Sequence, residues 1–336
     1  MAQQLVRGTG RLVVVSLAML VCACGGDSGS PSPAGDARVQ AATQTAQSNA
    51  TCSAIQPFYW EIGDRSAVLA SGTAGGTSPG ATTPMLIASA SKWMFGAYVV
   101  QLRNGQLTAN DLSALRMLSG HTRLSYVSCK LATTVDGCFN ATNLAGRNSD
   151  VDAQAVGKFH YNGGHFQWLA AGDLQLGADT NAALQADVAA QIGPALAFAY
   201  DSPQLAAGVQ TSGRDYGVFL RRVLGGQLLM RDQLGASAVC TNPATCAQAL
   251  YTPVPSSESW HYSLGHWVED DPAAGDGAFS SPGAFGFYPW IDAGKTHYGV
   301  VARQVNASLG GNDPVAIESV LCGRLIRRAW LTSTAQ

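Results

Sequence analysis

Ile87-Ala88-Ser89-Ala90-Ser91-Lys92-Trp93-Met94-Phe95-Gly96-Ala97-Tyr98-Val99-Val100 carries a Ser-x-x-Lys spacing at the point where an apolar helical pattern begins. Three residues of separation at a helix start put Ser89 and Lys92 on one face, one turn apart, so the amine reaches the hydroxyl. A serine hydroxyl is a weak nucleophile until a base takes its proton. Lysine serves as that base only when desolvation or nearby positive charge keeps it neutral. The apolar run after Lys92 offers burial, and a helix N-terminus adds partial positive charge and N–H groups suited to a developing oxyanion. The same spacing arises when Ser caps a helix and Lys snorkels to solvent, so partners further along the chain decide between the two.

Upstream, β-rich runs at 58–64 and 66–72 flank a polar turn and read as a hairpin. Downstream, helix signals continue to about residue 103, where Asn104-Gly105 closes them. From 107 to about 250 the chain changes to Ala/Leu-rich helical patterns broken by polar loops, a helical insertion in which 151–170 and 211–229 carry usable helix signals. Strand-like runs return at 262–268, 278–291 and 297–303. A terminal helix over 314–330 follows, with Val315, Ile317, Val320, Leu321, Leu325 and Ile326 placed to pack on a sheet. Arg324, Arg327 and Arg328 are expected on its solvated face. This order predicts an α+β fold, an antiparallel β-sheet flanked by helices with a mainly helical insertion subdomain.

Two later segments supply partners for the serine. In Phe159-His160-Tyr161-Asn162-Gly163-Gly164-His165 a tyrosine sits in a tight Gly-rich turn ahead of a helical pattern, able to present its phenol to a cleft. In Ser280-Ser281-Pro282-Gly283-Ala284-Phe285-Gly286-Phe287 small residues let a strand run its backbone close beside a substrate. Gly76-Thr77-Ser78-Pro79-Gly80 matches the Gly-x-Ser-x-Gly elbow by letter, but its Gly/Thr/Pro surroundings give a loop rather than the strand and helix an elbow needs.

Ser-x-x-Lys on the first long helix, a Tyr turn inside a helical insertion, and a small-residue strand near the C-terminus together resemble the class C β-lactamase-like serine hydrolases. That superfamily includes penicillin-binding D-alanyl carboxypeptidases, β-lactamase-fold esterases and nylon-oligomer hydrolases. The likeness spans about residues 52–330. It implies an acyl-enzyme mechanism in which Ser89 attacks a carbonyl, Lys92 and Tyr161 handle the proton, and backbone N–H groups of Ser89 and Ala284 hold the oxyanion. It also implies substrate contacts from Asn162, Ser281 and Gly283. The second motif departs from the family's Tyr-x-Asn, since Gly163 stands at the Asn position and Asn162 is one place early. The third motif, Ser281-Pro282-Gly283, lacks the usual leading Lys or His, which removes an anchor for a substrate carboxylate and favours a neutral ester or amide over a β-lactam or D-Ala-D-Ala. The alternatives are a β-lactamase or D-alanyl carboxypeptidase, or a catalytically silent binding protein on the same scaffold.

Composition bounds the setting. The 336 residues suffice for a sizeable core, and a net charge of −2 without a basic stripe argues against a nucleic-acid partner. Arg7 and Arg11 precede an apolar run at 12–21 that is too short for a membrane span and reads as an export signal. Val21-Cys22-Ala23-Cys24 resembles the bacterial lipoprotein box, implying a signal peptide over 1–23, lipidation of Cys24, a periplasmic or outer-membrane anchor, and a flexible tether over 24–51 before a hydrolase domain over 52–336; the alternative is an ordinary secretory signal cut near Ala23, giving a secreted protein. The remaining six cysteines suit an oxidising compartment; short spacings favour Cys129–Cys138 and Cys240–Cys246, leaving Cys52–Cys322. His160 with His165, and His261 with His266, lack metal-ligand spacing and a carboxylate companion, so no metal or cofactor is expected.

Overall fold

A computed structural model describes residues 33–144, 146–305 and 314–336. The signal segment 1–23 and Cys24 lie outside the described residues. The expected tether does not extend to residue 51. Pro33–Ser48 form helix α1 and Ala50–Ser53 a further short helix. Ala41, Ala42, Thr45 and Ala46 are buried where α1 packs on the C-terminal helix. A stripe of alanines has a linker's composition but lets two helices approach closely, which is why the sequence pattern concealed it. Asn49 Nδ2 donates to the Gln336 carbonyl and Gln336 N to Thr45 Oγ1, tying this segment to the chain's other end.

Eight strands form the central sheet: β1 (Phe58–Gly63), β2 (Val68–Ala74), β3 (Val239–Cys240), β4 (His261–Tyr262), β5 (Trp267–Glu269), β6 (Ala278–Ser280), β7 (Tyr288–Ile291) and β8 (Tyr298–Ala302). Their order is β2-β1-β8-β7-β6-β5-β4-β3, and every neighbouring pair is antiparallel. The expected hairpin is β1–β2. The run at 262–268 turns out to straddle a tight turn at Gly265 between β4 and β5. Four further helices matter for the site: α2 (Ser91–Leu102), α3 (Gly164–Ala171), α4 (Gly213–Leu224) and α5 (Pro314–Thr332).

Strand alternation shows that the sheet is covered on both faces. On β8, Tyr298 and Ala302 point towards α4, where glycines at 213 and 217 make room for them. Val301 points the other way, towards Gly323 of α5. Double coverage explains why β1, β7 and β8 are buried along their whole length instead of alternating buried and exposed positions. The α4 pattern was legible because Ser212 Oγ caps it, accepting from Asp215 N at 3.1 Å, and because Tyr216, Phe219, Leu220, Val223 and Leu224 form one buried face.

Two expectations are corrected. The segment 151–170 is helical only from Gly164; before it, Phe159–His160 pairs in parallel with Ala249–Tyr251, and Gly157 adopts φ +79°, breaking any helix. Arg324 and Arg327 do not lie on a solvated face. Arg327 is 1% exposed and bonds Asp276 at 2.7 Å, Glu269 at 3.2 Å and Tyr288 Oη at 2.9 Å. Arg324 bonds Glu269 and Glu258, each at 2.9 Å. The acids come from turns and strands distant in sequence, which helix periodicity cannot see.

Three disulfides join Cys52–Cys322, Cys129–Cys138 and Cys240–Cys246, the pairing that spacing suggested. The first links residues 270 apart and fastens the N-terminal helices to α5. Replacing Cys52 and Cys322 together by Ser is expected to lower unfolding free energy by about 2–5 kcal/mol. The midpoint and slope of a urea unfolding curve measure this; an unchanged midpoint would contradict it.

Candidate active site

The serine turn is held in a strained shape. Strand Met85–Leu86 pairs with Val209–Thr211 and delivers the chain into a 3₁₀ turn over Ala88–Ala90, from which α2 starts. Ala88 has φ +45°, a left-handed conformation uncommon for a residue with a Cβ, immediately before Ser89. Such a residue costs about 1–3 kcal/mol and persists only where neighbours hold it. Here Tyr216 Oη donates to the Ala90 carbonyl at 2.8 Å, Ser281 Oγ to the Ser89 carbonyl at 3.0 Å, and Val209 N to Ser91 Oγ at 3.2 Å.

Lys92 lies one helical turn on and is 3% exposed. Its Nζ donates to Ser89 Oγ at 2.9 Å and to the Ala206 carbonyl at 3.0 Å. It also sits 4.8 Å over the Tyr161 ring. Burial lowers its pKa to about 7, and no acidic neighbour among the described residues opposes it. The loop that carries Ala206 is held by Gln167 of α3, whose Nε2 donates to the Val135 and Pro203 carbonyls while its Oε1 accepts from Leu205 N at 3.3 Å. No spacing signal marks Ala206 or Gln167, because their roles arise only when α3 meets the loop before Val209.

Tyr161 arrives from the short strand Phe159–His160 and stacks on Trp267 with ring centroids 5.2 Å apart. Burial raises its phenol to about 12, opposed by its contacts with Ser89 and Trp267. The phenol is therefore protonated at neutral pH.

The residues after β6 complete the site. Gly283 passes so close to the serine turn that a Cβ there would collide with the Ile87 carbonyl oxygen. Its glycine is thus a requirement of backbone approach. Ser89, Tyr161 and Ala284 line a cavity of about 80 Å³ with Trp260, Trp267, Pro282, Val254 and Ile317, and no charged side chain is among its described lining residues.

The structure therefore brings Ser89, Lys92, Tyr161, Ser281, Gly283 and Ala284 together. Ser281 bonds the Ser89 backbone, so its hydroxyl holds the turn. Asn162 is not brought to the cavity: its Oδ1 accepts from Leu124 N at 3.1 Å and Gly164 N at 2.8 Å, and it borders a separate groove near Leu124. Among the tryptophans, Trp260 and Trp267 form cavity wall while Trp93 and Trp290 are core. Sequence reasoning missed Pro253, Val254, Ala316 and Ile317, which carry no pattern of their own and reach the cavity only through the fold.

The result is an α+β arrangement, an antiparallel sheet between helices, with Ser89 and the half-buried Tyr161 lining one cavity. Solved structures agree. FmtA from Staphylococcus aureus is similar over 89% of this chain and 90% of its own, at 14% identity and a TM-score of 0.59. A D-stereospecific amidohydrolase from Streptomyces sp. is similar over 86% and 98%, at 15% identity and a TM-score of 0.56. A β-lactamase from Mycobacterium bovis is similar over 83% and 96%, at 15% identity and a TM-score of 0.51. No protein-family model matches the sequence, and no curated protein matches it. The chain shares the β-lactamase-like α+β fold of these structures.

Gly283→Ala tests the close approach. It should slow labelling of Ser89 by a fluorophosphonate roughly ten- to a hundredfold, because a displaced Ile87 carbonyl shifts the nucleophile. Mass spectrometry reads the labelling and far-UV circular dichroism the retained fold; unchanged labelling would show that the contact does not position Ser89.

Proposed function

We propose that this protein is an exported serine hydrolase that cleaves a neutral ester or amide through an acyl-enzyme on Ser89. The observation that carries the reading is the Lys92 amine, buried without an acidic partner among the described residues and bonded to Ser89 Oγ at 2.9 Å. In its neutral form Lys92 accepts the serine proton as Oγ attacks the substrate carbonyl carbon. The carbonyl oxygen becomes an oxyanion facing the backbone N–H groups of Ser89 and Ala284, whose fixed dipoles favour it. The protonated Tyr161 phenol donates to the leaving alkoxide or amine and recovers its proton from the Lys92 ammonium. With pKa values of about 7 for Lys92 and about 12 for Tyr161, the amine is the base at neutral pH and the phenol the donor. Water then attacks the acyl carbon, gives a proton to the regenerated base, and releases Ser89.

An uncharged cavity wall supports an ester or amide without a carboxylate, over a β-lactam or a D-alanyl peptide. Export is supported by the signal-like N-terminus and by three disulfides, which belong to an oxidising compartment. Attachment to a membrane through a lipidated Cys24 is supported by the resemblance of Val21-Cys22-Ala23-Cys24 to a lipoprotein box.

Labelling of the mature domain by a fluorophosphonate, with hydrolysis of p-nitrophenyl acetate, tests the enzyme. Both should vanish in Ser89→Ala, and Tyr161→Phe should lower kcat by about 10²–10⁴. Turnover unchanged in Ser89→Ala would overturn the reading, and nitrocefin hydrolysis faster than acetate ester hydrolysis would overturn the substrate preference.

The pH profile is a separate expectation. Below about pH 7 Lys92 is an ammonium and cannot take the serine proton, so kcat/KM should fall about tenfold per pH unit there and level off above it. An acidic limb placed two units lower would point to a carboxylate base instead.

A further inference from the structure

The cavity at Ser89 is too small for a whole substrate. Its volume of about 80 Å³ falls well below the roughly 300–1,000 Å³ of small-molecule sites. The remainder of any substrate must lie outside it. Pro253, Val254 and Ile317 border the cavity and also an open groove of about 770 Å³, within the roughly 300–1,000 Å³ of small-molecule sites.

We propose that this groove is the substrate's second subsite, and that it takes an extended, uncharged apolar chain or ring attached to the scissile ester or amide. The proposal rests on the serine hydrolase reading and names the substrate class of that same site. Leu250, Tyr251 and Leu321, at 41%, 36% and 41% exposure, are three of the chain's exposed large apolar side chains, and all three face this groove. Contiguous exposed apolar surface marks a binding surface more often than scattered apolar residues do. The groove's charged side chain, Glu318, is bonded to Arg303 at 2.9 Å, so no free charge among its described lining residues selects an ionic ligand. Its far wall is pre-formed. The Cys240–Cys246 bridge closes the loop that carries Asn242, and Asn242 Nδ2 donates to the Ser256 and Glu258 carbonyls, turning its polar end into the wall. A rigid apolar groove binds a chain without an ordering penalty on the protein side.

Two p-nitrophenyl-type series test it. One lengthens the acyl group from acetate to decanoate; the other keeps acetate and lengthens the alcohol. In one of them kcat/KM should rise about two- to fourfold per methylene, and the series that rises tells which side of the bond enters the groove. Leu250→Glu and Leu321→Glu, at exposed positions where the fold tolerates a charge, should each cut the long-to-short ratio of kcat/KM by about tenfold or more. Leu331→Glu, on the same helix but outside the groove, should leave the ratio at its wild-type value. Two flat series, or ratios unaltered in both groove variants, would overturn the proposal while fluorophosphonate labelling of Ser89 stayed intact. Flat series with a concentration-dependent dimer that Leu250→Glu abolishes would overturn it in favour of self-association. Absence of Ser89 labelling would instead remove the enzyme reading on which the proposal stands.

Discussion

The burial of Lys92, with no carboxylate beside it among the described residues, is the constraint on which the rest of this structure depends. Moving its pKa from 10.5 to about 7 corresponds to on the order of 5 kcal/mol against the charged form. The fold must therefore provide a dry enclosure and hydrogen-bond partners that do not restore the charge. The groups that meet it, the Ala206 carbonyl, the Ser89 hydroxyl and the Tyr161 ring, carry no negative charge to oppose the effect of burial. Each comes from a different segment, so the enclosure forms only when the segments carrying Tyr161 and Ala206 close on the serine turn.

Close backbone approach is the means of that closure. Gly283 lets the turn after β6 press on the Ile87 carbonyl, and Gly265, at φ +83°, lets the β4–β5 turn sit against the Lys92 carbonyl. A Cβ at either point would separate the sheet from the nucleophile turn. Ala88, in contrast, keeps its Cβ in a left-handed conformation, and three hydrogen bonds around the turn offset its strain. The same contacts that hold the sheet to α2 thus fix where Ser89 points.

Helix α5 reaches the cavity through charges rather than apolar packing alone. Arg327 and Arg324 share Glu269, Arg324 passes to Glu258, and Glu258 Oε2 accepts from Trp260 Nε1 at 2.6 Å. Arg324 also lies 5.1 Å over the Trp260 ring. A cavity wall is thereby anchored to the terminal helix by ion pairs that are expensive to break, because loss of one partner leaves a buried charge. The Cys52–Cys322 bridge fastens that helix in turn to the start of the folded chain.

The sequence by itself determined the local parts. The Ser89–Lys92 spacing, the Tyr161 turn, the hairpin of β1 and β2, the capped pattern of α4 and the even cysteine count each depend on neighbours a few residues away, where periodicity and spacing are informative. Tertiary structure alone decided the rest. It turned α1 from a tether into a packed helix, because an alanine stripe has meaning only against another helix. It buried Arg324 and Arg327, because their acids are remote in sequence. It kept Asn162 from the cavity, because its carbonyl oxygen is taken by two backbone N–H groups. It also assembled the apolar wall from Pro253, Val254, Trp260 and Ile317, since burial and long-range pairing depend on distances in space that no local pattern encodes.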